Sequence, residues 1–494
     1  MTSTPSRRAI LLGLMASAGH AAFAEAPVSV PRPPARGTVK LSAPKRHDLV
    51  AKSGLEGAVT FAIADAETGE ILEAKQPGRP MPPASTMKAV TSLYALDRLG
   101  SDFRFETKVL ADGAIVDGVL KGDLWLVGGG DPTLTSDGLA DLSKAVAEAG
   151  ISRITGAFRV WADALPRADR IDADQPEYVA YNPSFGGLNL NFNRVHFEWI
   201  PDGKEIGITM QARALRFSPE TNVARMQMVD RPGPVYEYRR GQNVDKWSVA
   251  RGSLGKKPGA RWLPVRFPGL YAGDAFRSVA RLQGLNLPFP QITGNPPVGA
   301  LVATVKSNVL EDVLRSMMRY STNITAEAVG MASSLVNGVP LGNLVASGSR
   351  MAGWAETQFG TRRMTFRDHS GLGYDSEISA SDMIAILRQG EGVEGLMKSK
   401  AISDPGRTDG KPIAGVSAVA KTGTLNFVSS LVGYMYTQSG RRLVFAIFTA
   451  DKPRRDAIPP EQRERPPGSR SWANRSRRLQ RNLLAEWARA YETV

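Results

Sequence analysis

The stretch Pro83-Ala84-Ser85-Thr86-Met87-Lys88 constrains this chain more than any other. It sets a serine and a lysine three residues apart at the front of an apolar run, Met87 to Leu99, that stops at Gly100. That is the composition and punctuation of a helix. Residues i and i+3 of a helix share a side, about one turn apart. Ser85 and Lys88 can therefore meet, a hydroxyl able to attack and an amine able to take its proton. The helix N-terminus also favours negative charge developing near Ser85. Spacing alone is a weak signal, because it recurs at Ser42/Lys45 in a proline-rich segment and at Ser253/Lys256 in a loop composition. Only Ser85 has a well-formed helix behind it.

Composition removes several other chemistries. The chain has no cysteine, which excludes disulfides, thiol catalysis and cysteine-ligated metal. Its histidines, His20, His47, His196 and His369, do not pair at metal-ligand spacing, so no metal or other cofactor is expected. The N-terminus reads as an export signal. Arg7-Arg8 precede an apolar run too short to span a bilayer, and Ala22-Phe23-Ala24 gives a small-x-small cleavage site. Ser6-Arg7-Arg8-Ala9-Ile10-Leu11 resembles a twin-arginine signal and equally fits an ordinary charged n-region. Cleavage after Ala24 places the mature protein in the periplasm or otherwise outside the cytoplasm. It removes two arginines and no acid from a chain whose formal charge is +14. A positive surface suits an anionic polymer, a cell wall or a membrane surface, and solubility accounts for it equally. No aromatic-basic interleaving points to nucleic acid.

Length, 494 residues, suggests two or three domains. Residues 1–24 are the signal and 25–45 a proline-rich tether. Two apolar strands around a glycine turn, Gly57–Asp65 and Ile71–Ala74, form a hairpin, followed by the Ser85 helix, so that 25–100 is the first part of a catalytic domain. Residues 101–299 change texture to short strands and Gly/Pro/Asp turns, a large mostly-β insertion of one or two subdomains. Within it a helix is expected at Ala140–Ala149, strands at Phe158–Trp161 and Leu188–Trp199, and weak regularity from Ser218 to Pro268. Residues 300–494 form the second part of the catalytic domain. Helices are expected at Val309–Arg319, Ile324–Leu335 and Ser381–Arg388, and strands at Val416–Leu425, Ser429–Tyr436 and Arg442–Thr449. A final amphipathic helix carries Trp472, Leu479, Leu483, Trp487 and Tyr491 on one face. The late strands need the N-terminal hairpin to complete one antiparallel sheet flanked by helices, an α+β arrangement within the α/β class.

Three short motifs now stand in order: Ser85-x-x-Lys88, Ser321-Thr322-Asn323 and Lys421-Thr422-Gly423. The Ser-x-Asn pattern occurs only once in the chain. Their settings are a helix start, a loop between helices and a strand. The set resembles the motif triplet of class A β-lactamases and penicillin-binding proteins, with Thr322 where that pattern has Asp. The wide separation of the first two motifs is similar to that of the class C low-molecular-mass penicillin-binding proteins, the DacB-type D-alanyl-D-alanine carboxypeptidases/endopeptidases. Gly122-Asp123-Leu124, Gly130-Asp131-Pro132-Thr133-Leu134 and the Asn182–Asn193 stretch add to the resemblance. Asp368-His369-Ser370-Gly371-Leu372 departs from it at His369, where the family usually has a second small residue.

The resemblance implies a penicillin-recognising serine transpeptidase/β-lactamase-like fold. It also implies hydrolysis of peptidoglycan stem peptides ending in D-Ala-D-Ala, or of cross-links, with β-lactams as covalent inhibitors. Ser85 would form the acyl-enzyme. Lys88, neutralised by burial and by nearby Lys421, would be the base. Ser321 would pass a proton to the leaving amine and Asn323 would hold the peptide amide. Lys421 and Thr422 suit a terminal carboxylate, and Gly423 lets the substrate backbone lie against its strand. The backbone N–H groups of Ser85 and Thr424 would form the oxyanion hole, a donor pair typically worth about 3 kcal/mol of barrier. Oligomeric state is not readable. The alternatives are another serine hydrolase of β-lactamase or esterase type, a Ser-His-Asp hydrolase, and a peptidoglycan-binding module with a weak or dead site. The Ser-His-Asp reading is weakened by the lack of a Gly-x-Ser-x-Gly elbow. Ser321 and Asn323 could also serve only as caps of the helix after them.

Overall fold

A computed structural model describes residues 47–203, 205–403 and 411–492. The expected signal, its cleavage site, the 25–45 tether and the Ser42/Lys45 pair lie outside the described residues. The N-terminal hairpin is β1 (Ala58–Asp65) and β2 (Ile71–Lys75). Late in the chain come β3 (Lys398–Lys400), β4 (Ser417–Leu425), β5 (Val428–Tyr436) and β6 (Arg442–Ala450). They join in one antiparallel sheet of order β3-β4-β5-β6-β1-β2. The hairpin thus completes a sheet whose other strands follow it by more than 300 residues, which is the closure read from the sequence.

Strand alternation decides what each face meets. Val59, Phe61 and Ile63 of β1 pack with Leu479, Leu483 and Trp487 of the terminal helix, Ser469–Ala490. Ala62 and Ala64, from the same strand, pack against helices on the other face. Those helices are α1 (Met87–Leu99), α2 (Leu310–Tyr320), α3 (Asn323–Leu335), α4 (Leu344–Phe359) and α5 (Ala380–Gln389); the terminal helix is α6. Covered on both sides, β1 and β6 are buried along nearly their whole length. Such strands read as continuous apolar runs.

Residues 106–306 fold around a second hydrophobic core. Its main sheet is built on the antiparallel strands Glu106–Val116 and Val119–Val127, with Phe158–Trp161 parallel to the latter. Its last strand, Ala300–Lys306, pairs with Glu106–Val116 and so lies just past the 101–299 boundary. Entry and exit are neighbours, and a long insertion can leave the surrounding sheet intact.

Three expectations need correction. The tract from Ser218 to Pro268 is regular, with strands Ala224–Val229, Tyr236–Arg240, Asp245–Ala250 and Gly259–Pro264. Their short alternating patterns are interrupted by prolines and glycines, which hid the periodicity. Leu188–Trp199 is not one strand: it turns at Asn191–Asn193 on positive φ values before a strand starts at Arg194. Buried asparagines hold that turn, Asn193 Nδ2 donating to the Ser184 carbonyl and to Asn189 Oδ1, 2.8 Å each. Asparagine tolerates the left-handed region better than most residues. The helix expected at Ala140 starts at Ser136, capped by Thr135, whose hydroxyl accepts from the Gly138 N–H.

Candidate active site

Ser85 sits in a 3-10 turn, Ala84–Thr86, that runs straight into α1. Ala84 takes φ +47, a left-handed conformation costing an alanine roughly 1 kcal/mol. Two glycines hold the turn there. A Cβ on Gly423 of β4 would run into Ser430 Oγ and lie 2.7 Å from the Pro83 carbonyl oxygen. A Cβ on Gly371, itself at φ +72, would strike the Ala84 carbonyl. Ser430 Oγ and Thr86 Oγ1 donate to the Pro83 carbonyl at 2.5 and 2.7 Å. Gly423 therefore allows the close approach of the turn that carries Ser85.

Lys88 is fully buried under Ser85, on the helix spacing expected. Its Nζ lies 3.0 Å from Ser85 Oγ, 2.8 Å from Asn323 Oδ1 and 2.7 Å from the Ser370 carbonyl oxygen. The last two groups can only accept. A neutral amine has two N–H bonds to give them and one lone pair left, and the remaining neighbour is the Ser85 hydroxyl. Burial pushes the amine down to about 8, against the pull of the Glu327 and Asp368 carboxyls. Burial, and not Lys421, is the dominant cause.

Asn323 is oriented from its far side. Its Nδ2 donates to the Tyr181 carbonyl at 3.0 Å, so its oxygen must face Lys88. Tyr181 belongs to the insertion, on a segment gathered by Arg266. That guanidinium is only 2% exposed and donates to the carbonyls of Asp169, Glu177 and Asn182.

Ser321 ends α2 in the left-handed region, at φ 59 and ψ 37, and its Oγ accepts from Lys421 Nζ at 2.9 Å. The lysine also donates to the Thr422 carbonyl at 2.8 Å. Burial first, then the charge of Lys88, holds the Lys421 amine well below its usual value. Thr322 is the N-cap of α3 and makes no side-chain cap bond. Ser321 and Asn323 thus spend their side chains on the two lysines, and the capping alternative fails.

The Ser370 carbonyl comes from a loop fixed by two buried acids. Glu327 accepts from the His369 and Ser370 N–H groups, 2.9 Å each, and Asp368 accepts from those of Gly371 and Gly373 at 2.9 and 2.6 Å. Burial, together with the Asp368 charge, raises the Glu327 carboxyl to about 8. His369 lies in the core, not on the cleft wall. Its Nε2 is 2.7 Å from Ser347 Oγ, and its ring fills the space that a Cβ on Gly330 would need.

These groups border a cleft of about 1110 Å³ lined by Ser85, Ser321, Asn323, Thr424 and Tyr181. Thr422 does not line it. Thr422, Gly423 and Thr424 border a smaller adjoining groove. The Ser253/Lys256 pair lies in the insertion, with both residues exposed and without a helix behind it. The sequence reading missed Ser370, Tyr181 and Glu327. Glu327 carried a signal, standing four residues after Asn323 on one helix face. Tyr181 carried none.

A sequence model of the D-Ala-D-Ala carboxypeptidase 3 (S13) family matches residues 46–465. The chain is 27% identical over 428 residues to a D-alanyl-D-alanine carboxypeptidase of Actinomadura sp. (strain R39), covering 80% of this chain and 78% of that one. It is 25% identical over 392 residues to the D-alanyl-D-alanine carboxypeptidase DacB of Haemophilus influenzae, covering 74% and 79%. The crystal structure of penicillin-binding protein 4 (dacB) from H. influenzae superposes with a TM-score of 0.70 at 20% identity, over 90% of this chain and 100% of that one. That likeness extends the agreement to the whole fold, insertion included. The chain belongs to the D-Ala-D-Ala carboxypeptidase 3 (S13) family.

Proposed function

We propose that Ser85 is the acylated nucleophile of a D-alanyl-D-alanine carboxypeptidase, with endopeptidase action on cross-links of the same chemistry. The observation that carries this reading is the contact between Lys88 Nζ and Ser85 Oγ, with two pure acceptors placed to take the amine's own hydrogens. Ser85 Oγ attacks the carbonyl carbon of the penultimate D-alanine while Lys88 takes its proton. The C–N bond breaks, and Ser321, whose oxygen is already bonded to Lys421, gives its proton to the departing amine. Ser321 is then reprotonated at the expense of the proton held on Lys88, which restores the neutral amine, so that net the proton of Ser85 ends on the released D-alanine. Water then attacks the ester and frees the enzyme.

Supporting this reading, β3 pairs with β4 only through Lys398–Lys400, opposite Ala418–Ala420. Beyond Ala420, the edge of β4 towards Thr424 is open among the described residues, a place for an extended peptide to add as a strand. In this reading the N–H groups of Ser85 and Thr424 receive the oxyanion, and Lys421 and Thr422 face the terminal carboxylate.

The same nucleophile would open β-lactam rings, as befits a chain folded like the H. influenzae protein, which has been crystallised with a β-lactam. The N-terminal signal would take the enzyme to the periplasm, by the twin-arginine route or by that of an ordinary charged n-region. Among the described residues no helix is long and apolar enough to cross a membrane. The 101–299 insertion acts in this scheme as a wall that also orients Asn323. Release of D-alanine from a diacyl-tripeptide ending in D-Ala-D-Ala tests the proposal. Wild-type enzyme should release it and Ser85→Ala should not; comparable release by both would overturn it.

A further inference from the structure

Loop residues 369–371 lie along α1 one turn at a time. The His369 carbonyl accepts from Thr91 Oγ1 at 2.6 Å, the Ser370 carbonyl accepts from Lys88 Nζ at 2.7 Å, and Gly371 packs against the Ala84 carbonyl. Three consecutive residues thus meet the helix at 91, at 88 and just before 85. A slip of this loop would take the acceptor off the base and loosen the turn of the nucleophile together.

Helix α3 sets the register through one side chain. Glu327 is fully buried there, one turn after Asn323. Its Oε2 accepts from the His369 N–H and its Oε1 from the Ser370 N–H, 2.9 Å each. The peptide between His369 and Ser370 is therefore held at its oxygen by Thr91 and at its hydrogen by Glu327. The next peptide is held at its oxygen by Lys88 and at its hydrogen by Asp368. So α3 reaches the base twice, directly through Asn323 Oδ1 and indirectly through Glu327 and the loop.

An amide side chain has one acceptor oxygen and could hold only one of these N–H groups. A carboxyl holds both, but its charge is costly to bury without a cation. The charged groups that face it are Lys88 from α1 and Asp368 from the loop, and His369 between them is kept neutral by burial. Burial first, then Asp368, raises the Glu327 carboxyl, and Lys88 lowers it. In return Glu327 and Asp368 hold the Lys88 amine up against burial, while Lys421 faces it with like charge. Glu327 thus acts on the amine by place and by charge.

We propose that Glu327 is the positioning residue of the Lys88 base, fixing the Ser370 carbonyl on the amine and balancing the ammonium that forms when Ser85 gives up its proton. This rests on Lys88 being that base and deepens the reading. In that transfer the proton moves from Ser85 Oγ to Lys88 Nζ, and Glu327 neither gives nor takes one.

The test is the pH profile of acylation by a chromogenic cephalosporin, counted per site that can be acylated. Glu327→Gln loses the charge and one of the two N–H bonds. Its alkaline plateau should fall at least about tenfold. Its acid limb should move about one pH unit lower, because the amine loses a pull that holds it up. Glu327→Asp keeps the charge and both acceptors on a shorter stem, so its plateau should fall while its limb stays near the wild-type position. A residue that only packed would lower the plateau and leave the limb of Glu327→Gln in place, and that result overturns the proposal. If Glu327→Gln does not fold, Glu327→Asp decides, and acylation at the wild-type rate overturns it. The carbon-13 signal of the Lys88 ε-carbon, assigned by its absence from Lys88→Arg, follows the amine without any acylation. Its titration should also move lower in Glu327→Gln. A moved titration in enzyme that no β-lactam acylates would refute the nucleophile reading and support this one. Acylated enzyme in which the titration stays put refutes this one alone.

Discussion

The base assignment makes a quantitative prediction about pH. With its amine near 8, Lys88 is neutral in about one molecule in ten at pH 7. An ordinary lysine, at 10.5, would be neutral in roughly three per ten thousand. Burial thus enriches the reactive form about 300-fold, equivalent to about 3 kcal/mol. Acylation should be slow in acid and rise about fiftyfold from pH 6 to pH 8, then level off as the amine empties. Stopped-flow acylation by a chromogenic cephalosporin reads this directly. The chain has no cysteine, so Lys88→Cys alkylated in denaturant with bromoethylamine and refolded carries a sulfur-containing amine at this one position. Sulfur withdraws electrons and lowers the affinity of that amine for a proton. The acid limb of the rate should therefore return, displaced to lower pH. Lys88→Arg keeps the charge and cannot give up its proton, and should acylate at least about a hundredfold more slowly. A flat profile between pH 6 and 8, or Lys88→Arg acylating like wild type, would refute the neutral-base account.

Three further outcomes follow from the packing around the site. Gly371→Ala drives a Cβ into the Ala84 carbonyl and displaces Ser85; a 1 Å error at a nucleophile costs about a hundredfold, so acylation should collapse by about that factor while circular dichroism stays native. His369, held neutral down to about 3 by burial, binds a proton in the unfolded chain from about 6.5 downward. Stability is therefore lost as pH falls through that window, and His369→Gln should lose about 1.5 kcal/mol less than wild type between pH 6.5 and 5.0 in urea melts. Arg266→Met strands the carbonyls of Asp169, Glu177 and Asn182. Limited proteolysis should then cut within 169–182, and acylation should slow even for small β-lactams because Asn323 loses the Tyr181 carbonyl.

The contrast between what the sequence showed and what it hid has a physical pattern. Ser85 and Lys88 were legible because their meeting depends only on helix geometry. The sheet was legible because β1 and β6 are apolar on both faces and turns bound them. The side-chain identities of Ser321, Asn323 and Lys421 were legible as motifs, but the pairing of Ser321 with Lys421 and of Asn323 with Lys88 needed the fold. Main-chain groups left no trace at all: the Ser370 and Tyr181 carbonyls are invisible in a sequence, although the first accepts from Lys88 and the second orients Asn323. Gly423 was read as making room for substrate, and the room it makes is for Pro83 and Ala84. His369 stands where the resemblance implied a small residue, and the glycine that accommodates its ring, Gly330, stands 39 residues earlier. Helix α4 was missed because Ser347, Gly348, Ser349 and Gly353 weaken its propensity. It forms because Met351, Trp354 and Ala355 pack into the core.

The most direct test of the whole account is to label the protein with a fluorescent penicillin, digest it and identify the modified peptide by mass spectrometry. The label should sit on Ser85, on the peptide running into Met87-Lys88, and Ser85→Ala should be folded and unlabelled. A stable adduct on any other serine, Ser42 and Ser253 included, or labelling that persists in Ser85→Ala, would contradict the assignment.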